Sequence, residues 1–302
     1  MREWIRISSC LVALALTGCT VIEREQRPTP GVVLRSTGTQ AEAAPGVALA
    51  PAGVGELWPA NAPFIHAKSA ILIDADTGRT LYQKNADAPR QVASTQKLLT
   101  ALIVAESGNL DAPVVIAASD TDVEPTKAGV RAGQTYPRRQ LLTALLVHSC
   151  NDAAVALARD NAGSIAAFAE VMNERAAALG ARSSHFVNPN GLPAPQYSTA
   201  RDMARIADRA YRHSELREIM RLPGFYFRFN NGRESFFTST NKLLGRYPGV
   251  DGMKTGYTDA AGRCLITSAT IGFHHYILVQ LGSRTSYIFN DAAIMLSWVA
   301  SR

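Results

Sequence analysis

The chain is poor in the side chains that build metal and thiol enzymes. It has four cysteines and six histidines in 302 residues. The histidines, at positions 66, 148, 185, 213, 274 and 275, include no pair at helical or alternate-residue ligand spacing. That argues against a zinc peptidase, and no metal ligand is assigned. No Gly-x-Ser-x-Gly elbow occurs, which removes the usual signal of a Ser-His-Asp hydrolase. Internal repeats are absent too, so solenoids and propellers are set aside. No cofactor is called for. The apolar stretch at residues 5–16 is too short to span a bilayer.

What is present is the composition of a globular protein with a substantial core: 47% hydrophobic and 19% charged residues. The net charge of +6 suggests anionic surroundings. The N-terminus narrows these. Arg2 and Arg6 form a basic region at the start of the apolar stretch, as in a secretory signal. It ends in Leu16-Thr17-Gly18-Cys19, which resembles the lipobox of bacterial lipoproteins. That resemblance implies cleavage before Cys19 and a lipid on its thiol. The expected address is the cell envelope, facing the periplasm or cell wall. In a Gram-negative cell this is the inner leaflet of the outer membrane. Membrane and wall then become the anionic partners, and nucleic acid does not. Cys10 leaves with the signal, so Cys150 and Cys264 remain as thiols. They are read as small core residues, with a disulfide as the minority alternative.

Residues 1–18 are thus expected to be signal, 19–63 a lipidated Cys and a tether rich in Pro, Ala and Gly, and 64–302 the folded domain. The pattern of that domain is mixed. Residues 70–73 and 80–83 read as a hairpin around a turn at 74–78. A helical stretch follows over 138–211, with breaks at 148–152 and 183–198. Two strands, 263–272 and 275–283, and a closing helix from 288 end the chain. This order predicts an α+β fold: an antiparallel β-sheet covered by helices, plus an all-helical lobe.

Three short motifs carry possible chemistry. In Ser94-Thr95-Gln96-Lys97, positions i and i+3 face the same way at a helix start, so hydroxyl and amine meet. A serine is a poor nucleophile until a base takes its proton. A lysine is such a base only if burial or nearby positive charge lowers its pKa. A capping serine prefers Glu or Gln three residues on, so Lys97 breaks the local rule. In Ser149-Cys150-Asn151, a junction between two apolar helical runs offers a hydroxyl and a carboxamide. The plainer alternative there is an N-cap by Asn151 or Asp152. In Lys254-Thr255-Gly256-Tyr257, glycine in a strand lets another backbone approach, so an extended peptide can lie beside it.

The three motifs in this order resemble the D-alanyl-D-alanine carboxypeptidase family, the low-molecular-mass penicillin-binding proteins. The stretches ILIDADTGRTLYQKNAD, SCNDAAVALA, FVNPNGL and VDGMKTGYTDAAGRCL extend the likeness over residues 67–302. The resemblance implies a penicillin-binding-protein and β-lactamase-like fold. It implies Ser94 as acylated nucleophile and Lys97 as its base. Ser149 and Asn151 would assist proton transfer and substrate binding. Lys254 would support the electrostatics, and Thr255 would bind the terminal carboxylate. The backbone N–H groups of Ser94 and Tyr257 would form the oxyanion hole, with Gly256 in the binding strand. Peptidoglycan stem peptides are the implied substrate, and β-lactams the implied acylating inhibitors.

Two departures stand out. Cys150 occupies a place where glycine is common, which puts a thiol in or beside the cleft. Tyr257 follows Lys-Thr-Gly where histidine is frequent. A serine β-lactamase is the nearest alternative, but no Glu-x-x-Leu-Asn lies between Asn151 and Lys254. A non-catalytic wall-binding lipoprotein is the other. Arg201, Arg205, Arg209 and Arg212 form a stripe at helical spacing, read as a solvated face or a contact for anionic glycan.

Overall fold

The computed structural model describes residues 59–302. The expected signal, Cys19 and all but the end of the tether lie outside these residues. The tether's last residues, 59–63, make a turn closed by Ala62 N donating to Pro59 O at 2.8 Å.

Five antiparallel strands form the central sheet, in the order β2-β1-β9-β8-β7. They are β1 (Ser69–Asp74), β2 (Thr80–Lys84), β7 (Val250–Thr258), β8 (Gly262–Ile271) and β9 (His274–Ser283). The hairpin and tail strands of the sequence pattern are therefore neighbours. Helices cover both faces, so β1 is apolar almost throughout rather than alternating. Ile277, Val279 and Leu281 of β9 point into one core, and Tyr276 and Leu278 into the other. The closing helix α8 (Ile288–Ala300) seals the second core with Ile288, Ala292, Met295 and Leu296.

Between β2 and β7 lies the helical part. A 3-10 turn (Ala93–Gln96) leads into α1 (Lys97–Glu106), in which every residue from Lys97 to Ala105 is buried. A helix apolar all round has to be central. Around it stand α3 (Arg138–Thr143), α4 (Asn151–Ala162), α5 (Ile165–Ala178), α6 (Ala200–Arg212) and α7 (Ser214–Met220). A short α2 (Ala118–Thr121) completes the set.

Three features differ from the sequence pattern. A further break separates α4 from α5, where Gly163 takes φ 80° and Ser164 accepts from Ala167 N at 3.0 Å. Two apolar alanine-rich runs hide this junction, although a C-terminal glycine followed by a capping serine is its signal. Two short ladders also accompany the helices: β3 (Pro113–Val115) with β4 (Thr135–Pro137), and β5 (Gly224–Arg228) with β6 (Glu234–Thr238). Strands this short leave little periodicity to detect. The arginine stripe on α6 is neither a solvated face nor a row of unpaired cations. Arg201 is only 2% exposed and pairs with Asp87 at 2.7 Å. Arg205 pairs with Asp202, Arg209 with Glu106 and Arg212 with Asp208. Asp202 and Asp208 lie on α6 itself, three and four residues before their arginines, whereas Asp87 and Glu106 come from elements distant in sequence, so the pattern on α6 alone could not reveal those two.

The loop at 183–198 wraps behind the start of α1. Gln96 Nε2 donates to Asn188 O at 2.6 Å, and Thr100 Oγ1 to Pro189 O at 2.7 Å. Gly191 then passes the 3-10 turn so closely that a Cβ there would stand 2.1 Å from Ala93 O, at a φ of +83°. Gly191→Ala therefore combines a backbone clash with left-handed strain. It should destabilise the fold by about 2–4 kcal/mol, read as a lowered midpoint in thermal or urea unfolding. An unchanged midpoint refutes this packing.

Candidate active site

Ser94 and Lys97 do not share one α-helical turn. Ser94 sits within the 3-10 turn and Lys97 opens α1. Three-residue periodicity eclipses positions i and i+3, which brings the two side chains together. Lys97 Nζ lies 2.9 Å from Ser94 Oγ. It also donates to Asn151 Oδ1 at 2.7 Å and Asn190 O at 2.6 Å. The Asn151 amide is oriented by its other end, because Nδ2 donates to Pro125 O. A carbonyl only accepts, so Oδ1 must face the lysine.

This set of partners suits a neutral amine. Two N–H groups satisfy Asn151 Oδ1 and Asn190 O, and the Ser94 hydroxyl, which donates to Asn190 O at 3.3 Å, has only to rotate to meet the amine lone pair. The electrostatics agree. Complete burial, followed by the positive charge of Lys254, holds the Lys97 pKa well below its usual 10.5. Asn190 is the contributor that the motif spacing does not indicate. Its carbonyl belongs to the loop behind α1, and backbone oxygens leave no residue-type signal. The dense NPNG run was the only sequence cue to a shaped loop there.

The second motif arrives by an irregular route. Helix α3 widens into a π turn (Ala144–His148), and Ser149 follows in the left-handed region at φ 68°. π turns recur at functional sites because they re-aim the chain. Ser149 faces the cleft, while Asn151 starts α4 with its N–H on Thr126 O at 2.8 Å. Asp152 fixes the same lip by accepting from Ala128 N and Gly129 N, both at 2.9 Å. Cys150 is the small core residue that the sequence reading takes it for, and it does not line the cleft. It is fully buried in the main core rather than in the cleft, and burial pushes its thiol pKa far up. The extended backbone between Ser149 and Asn151 sends the three side chains to different sides. Cys150 and Cys264 are both free thiols. Cys264 lines the cleft, though burial pushes it up to about 11.

The third motif lies on β7. Gly256 packs against the 3-10 turn, where an added Cβ would be 2.9 Å from Ser94 N. Only glycine allows strand and serine to approach this closely. Lys254 is buried beneath, with Nζ donating to Thr255 O at 2.9 Å and its pKa lowered to about 7 by desolvation. Thr255 Oγ1 donates to Thr240 Oγ1 at 2.6 Å. Tyr257 is half exposed; its hydroxyl donates to Asp259 at 2.6 Å and its ring lies under Arg263.

These parts enclose a cleft of about 310 Å³. Ser94, Ser149, Thr255, Gly256 and Tyr257 line it directly, whereas Lys97, Asn151 and Lys254 are buried behind its wall. Pro125, Thr126, Thr240 and Arg263 line it as well and were not singled out by motif. Backbone strain gathers at the same place. Ala93, Thr126, Ser149 and Met253 all have φ between 49° and 85°, and each lies in or next to a cleft group. Such conformations cost of order 1–3 kcal/mol each and persist where the surroundings over-determine them.

A family model described as D-alanyl-D-alanine carboxypeptidase matches residues 58–285. A D-alanyl-D-alanine carboxypeptidase of Bacillus subtilis is 34% identical over 225 residues, covering 72% of this chain and 58% of that protein. A D-alanyl-D-alanine endopeptidase of Pseudomonas aeruginosa is 34% identical over 236 residues, 76% of each. The crystal structure of a D-alanyl-D-alanine carboxypeptidase from Mycobacterium tuberculosis superposes with a TM-score of 0.78 at 32% identity. It covers 83% of this chain and 97% of that one. With the buried amine beside Ser94, the strand at Gly256 and these matches agreeing, the chain belongs to the D-alanyl-D-alanine carboxypeptidase family of serine peptidases.

Proposed function

We propose that this protein is a penicillin-sensitive serine DD-peptidase of peptidoglycan, with Ser94 as its nucleophile. One observation carries the assignment of roles: the fully buried Lys97 amine, 2.9 Å from Ser94 Oγ. Neutral Lys97 takes the Ser94 proton as Oγ attacks the carbonyl of the penultimate D-Ala. The negative charge on that oxygen is met by the backbone N–H groups of Ser94 and Tyr257. Lys254 keeps the surroundings positive, and Thr255 holds the substrate carboxylate. The amide C–N bond breaks, and its nitrogen leaves as an amine after receiving a proton through Ser149. Water then attacks the acyl ester. One water proton passes by way of the base to Ser94 Oγ as the ester C–O bond breaks, and the other goes to solvent as the D-Ala carboxylate is released.

The same acyl-enzyme serves two reactions. A free D-Ala as leaving group is carboxypeptidation, and the side-chain amine of a second stem is cleavage of a cross-link. The relatives include enzymes named for each. A β-lactam enters by the same attack, but its opened ring stays attached to Ser94.

We also propose that the exported chain is lipidated at Cys19 and held at the envelope, with the following residues as a tether to residues 64–302. The support is the basic and apolar leader that ends at Cys19.

A fluorescent penicillin should label the wild type, and Ser94→Ala should abolish labelling. Equal labelling of the two would sink the nucleophile assignment. Lys97→Arg and Lys97→Met should each slow acylation by about 10²–10⁴ while circular dichroism stays native. The acylation rate should rise with pH as the Lys97 ammonium deprotonates, and level off well below pH 10.5. Lys254→Gln removes a positive charge that lowers the Lys97 pKa, so the rising limb should move to higher pH. A limb that stays or moves down contradicts that coupling. Cys19→Ser should lose radiolabelled fatty acid and appear in the soluble fraction; retained label refutes the anchor.

A further inference from the structure

A second pocket, of about 400 Å³, adjoins the catalytic cleft. Tyr257, Arg263 and Thr285 line the cleft; Asp259, Gly262 and Arg284, their neighbours in sequence, line the pocket. A hydrogen bond of 2.9 Å from Arg263 Nε to Thr285 Oγ1 forms part of the boundary.

A β-bulge builds this pocket. Arg263 pairs with Ser283 and Leu265 with Gln280, so Leu281 and Gly282 of β9 stand opposite Cys264 alone. Gly282 takes φ +71°, and a Cβ there would lie 3.1 Å from Lys68 Cβ. The bulge thus lets the Lys68 stem cross the strand and redirects the residue that follows. That residue, Ser283, lines the pocket, is only 5% exposed, and has a buried hydroxyl without a hydrogen-bond partner. Buried hydroxyls are nearly always bonded, so an unpaired one in a pocket wall asks for a ligand acceptor or donor.

The charges say which. Lys68 and Arg284 both line the pocket, and neither forms an ion pair among the described residues. The one acid in the wall, Asp259, accepts the Tyr257 hydroxyl, and the His66 ring is held by Asp291. Two cations and a hydroxyl with Phe64 beside them suit a carboxylate on a peptide.

The place suits it as well. Strand β7 is at the edge of the sheet, so a peptide can be added along it. With the terminal carboxylate at Thr255 and the reactive carbonyl at Ser94, upstream residues run towards Thr258 and Asp259. We propose that this pocket is a subsite for a carboxylate of the stem peptide upstream of its D-Ala residues, held by Lys68, Arg284 and the Ser283 hydroxyl. The proposal rests on the DD-peptidase function given above.

The test uses the full chain and two stem pentapeptides, one with free upstream carboxylates and one with these amidated, each also as a cross-linked dimer. D-Ala release and monomer appearance give kcat/KM. The wild type should prefer the acidic peptides, and the Lys68→Gln, Arg284→Gln double variant should lower that preference about five- to tenfold. Ser283→Ala should lower it less. An unchanged preference, or an equal loss on acidic and amidated peptides, overturns the subsite. Fluorescent penicillin separates the two levels: a wild type that takes no label overturns the underlying function, and a labelled one with an unchanged preference overturns the subsite alone.

Discussion

The structure depends on one buried amine. Lys97 has no exposure to water, and among the described residues its nitrogen meets only Ser94 Oγ, Asn151 Oδ1 and Asn190 O. A charged ammonium in such a place is costly, and a neutral one needs its two N–H groups bonded. Three segments far apart in sequence must therefore be brought to one atom. The 3-10 turn supplies the serine, the start of α4 supplies the amide, and the loop behind α1 supplies the carbonyl. Lys254 on β7 adds the nearby positive charge that biases the amine further towards its neutral form.

Holding these segments so close explains where the backbone is unusual. Gly191 touches the turn from one side and Gly256 from the other, each at a distance that leaves no room for a side chain. Ala93, Ser149, Thr126 and Met253 accept left-handed conformations around the same point. The stability for this comes from elsewhere: an all-buried α1 and a sheet covered on both faces. Cys150 belongs to that core rather than to the chemistry. Its apolar burial keeps the thiol protonated next to a lysine that needs to stay neutral.

The cleft and the pocket beside it share one architectural cause. Both lie at the end of the sheet where β7 turns into β8 and β9 bulges at Gly282. The β7 edge lies beside Ser94, and the bulge opens room at the end of that edge.

Much of this was legible in the chain. The hairpin, the tail strands and the closing helix follow from apolar runs and turn residues. Ser94, Lys97, Ser149, Asn151 and the Lys254–Tyr257 run follow from side-chain chemistry at fixed spacing. What escaped the sequence was non-local or carried by backbone. The Asn190 carbonyl has no side-chain signature. The acids that neutralise Arg201 and Arg209 come from other elements, and the extended backbone before α4 keeps Cys150 out of the cleft wall. The sequence by itself determined which groups could react and the elements that carry them. Only the tertiary structure decided that the Lys97 amine is biased towards its neutral form, because its lowered pKa is produced by burial and by a charge 157 residues away along the chain.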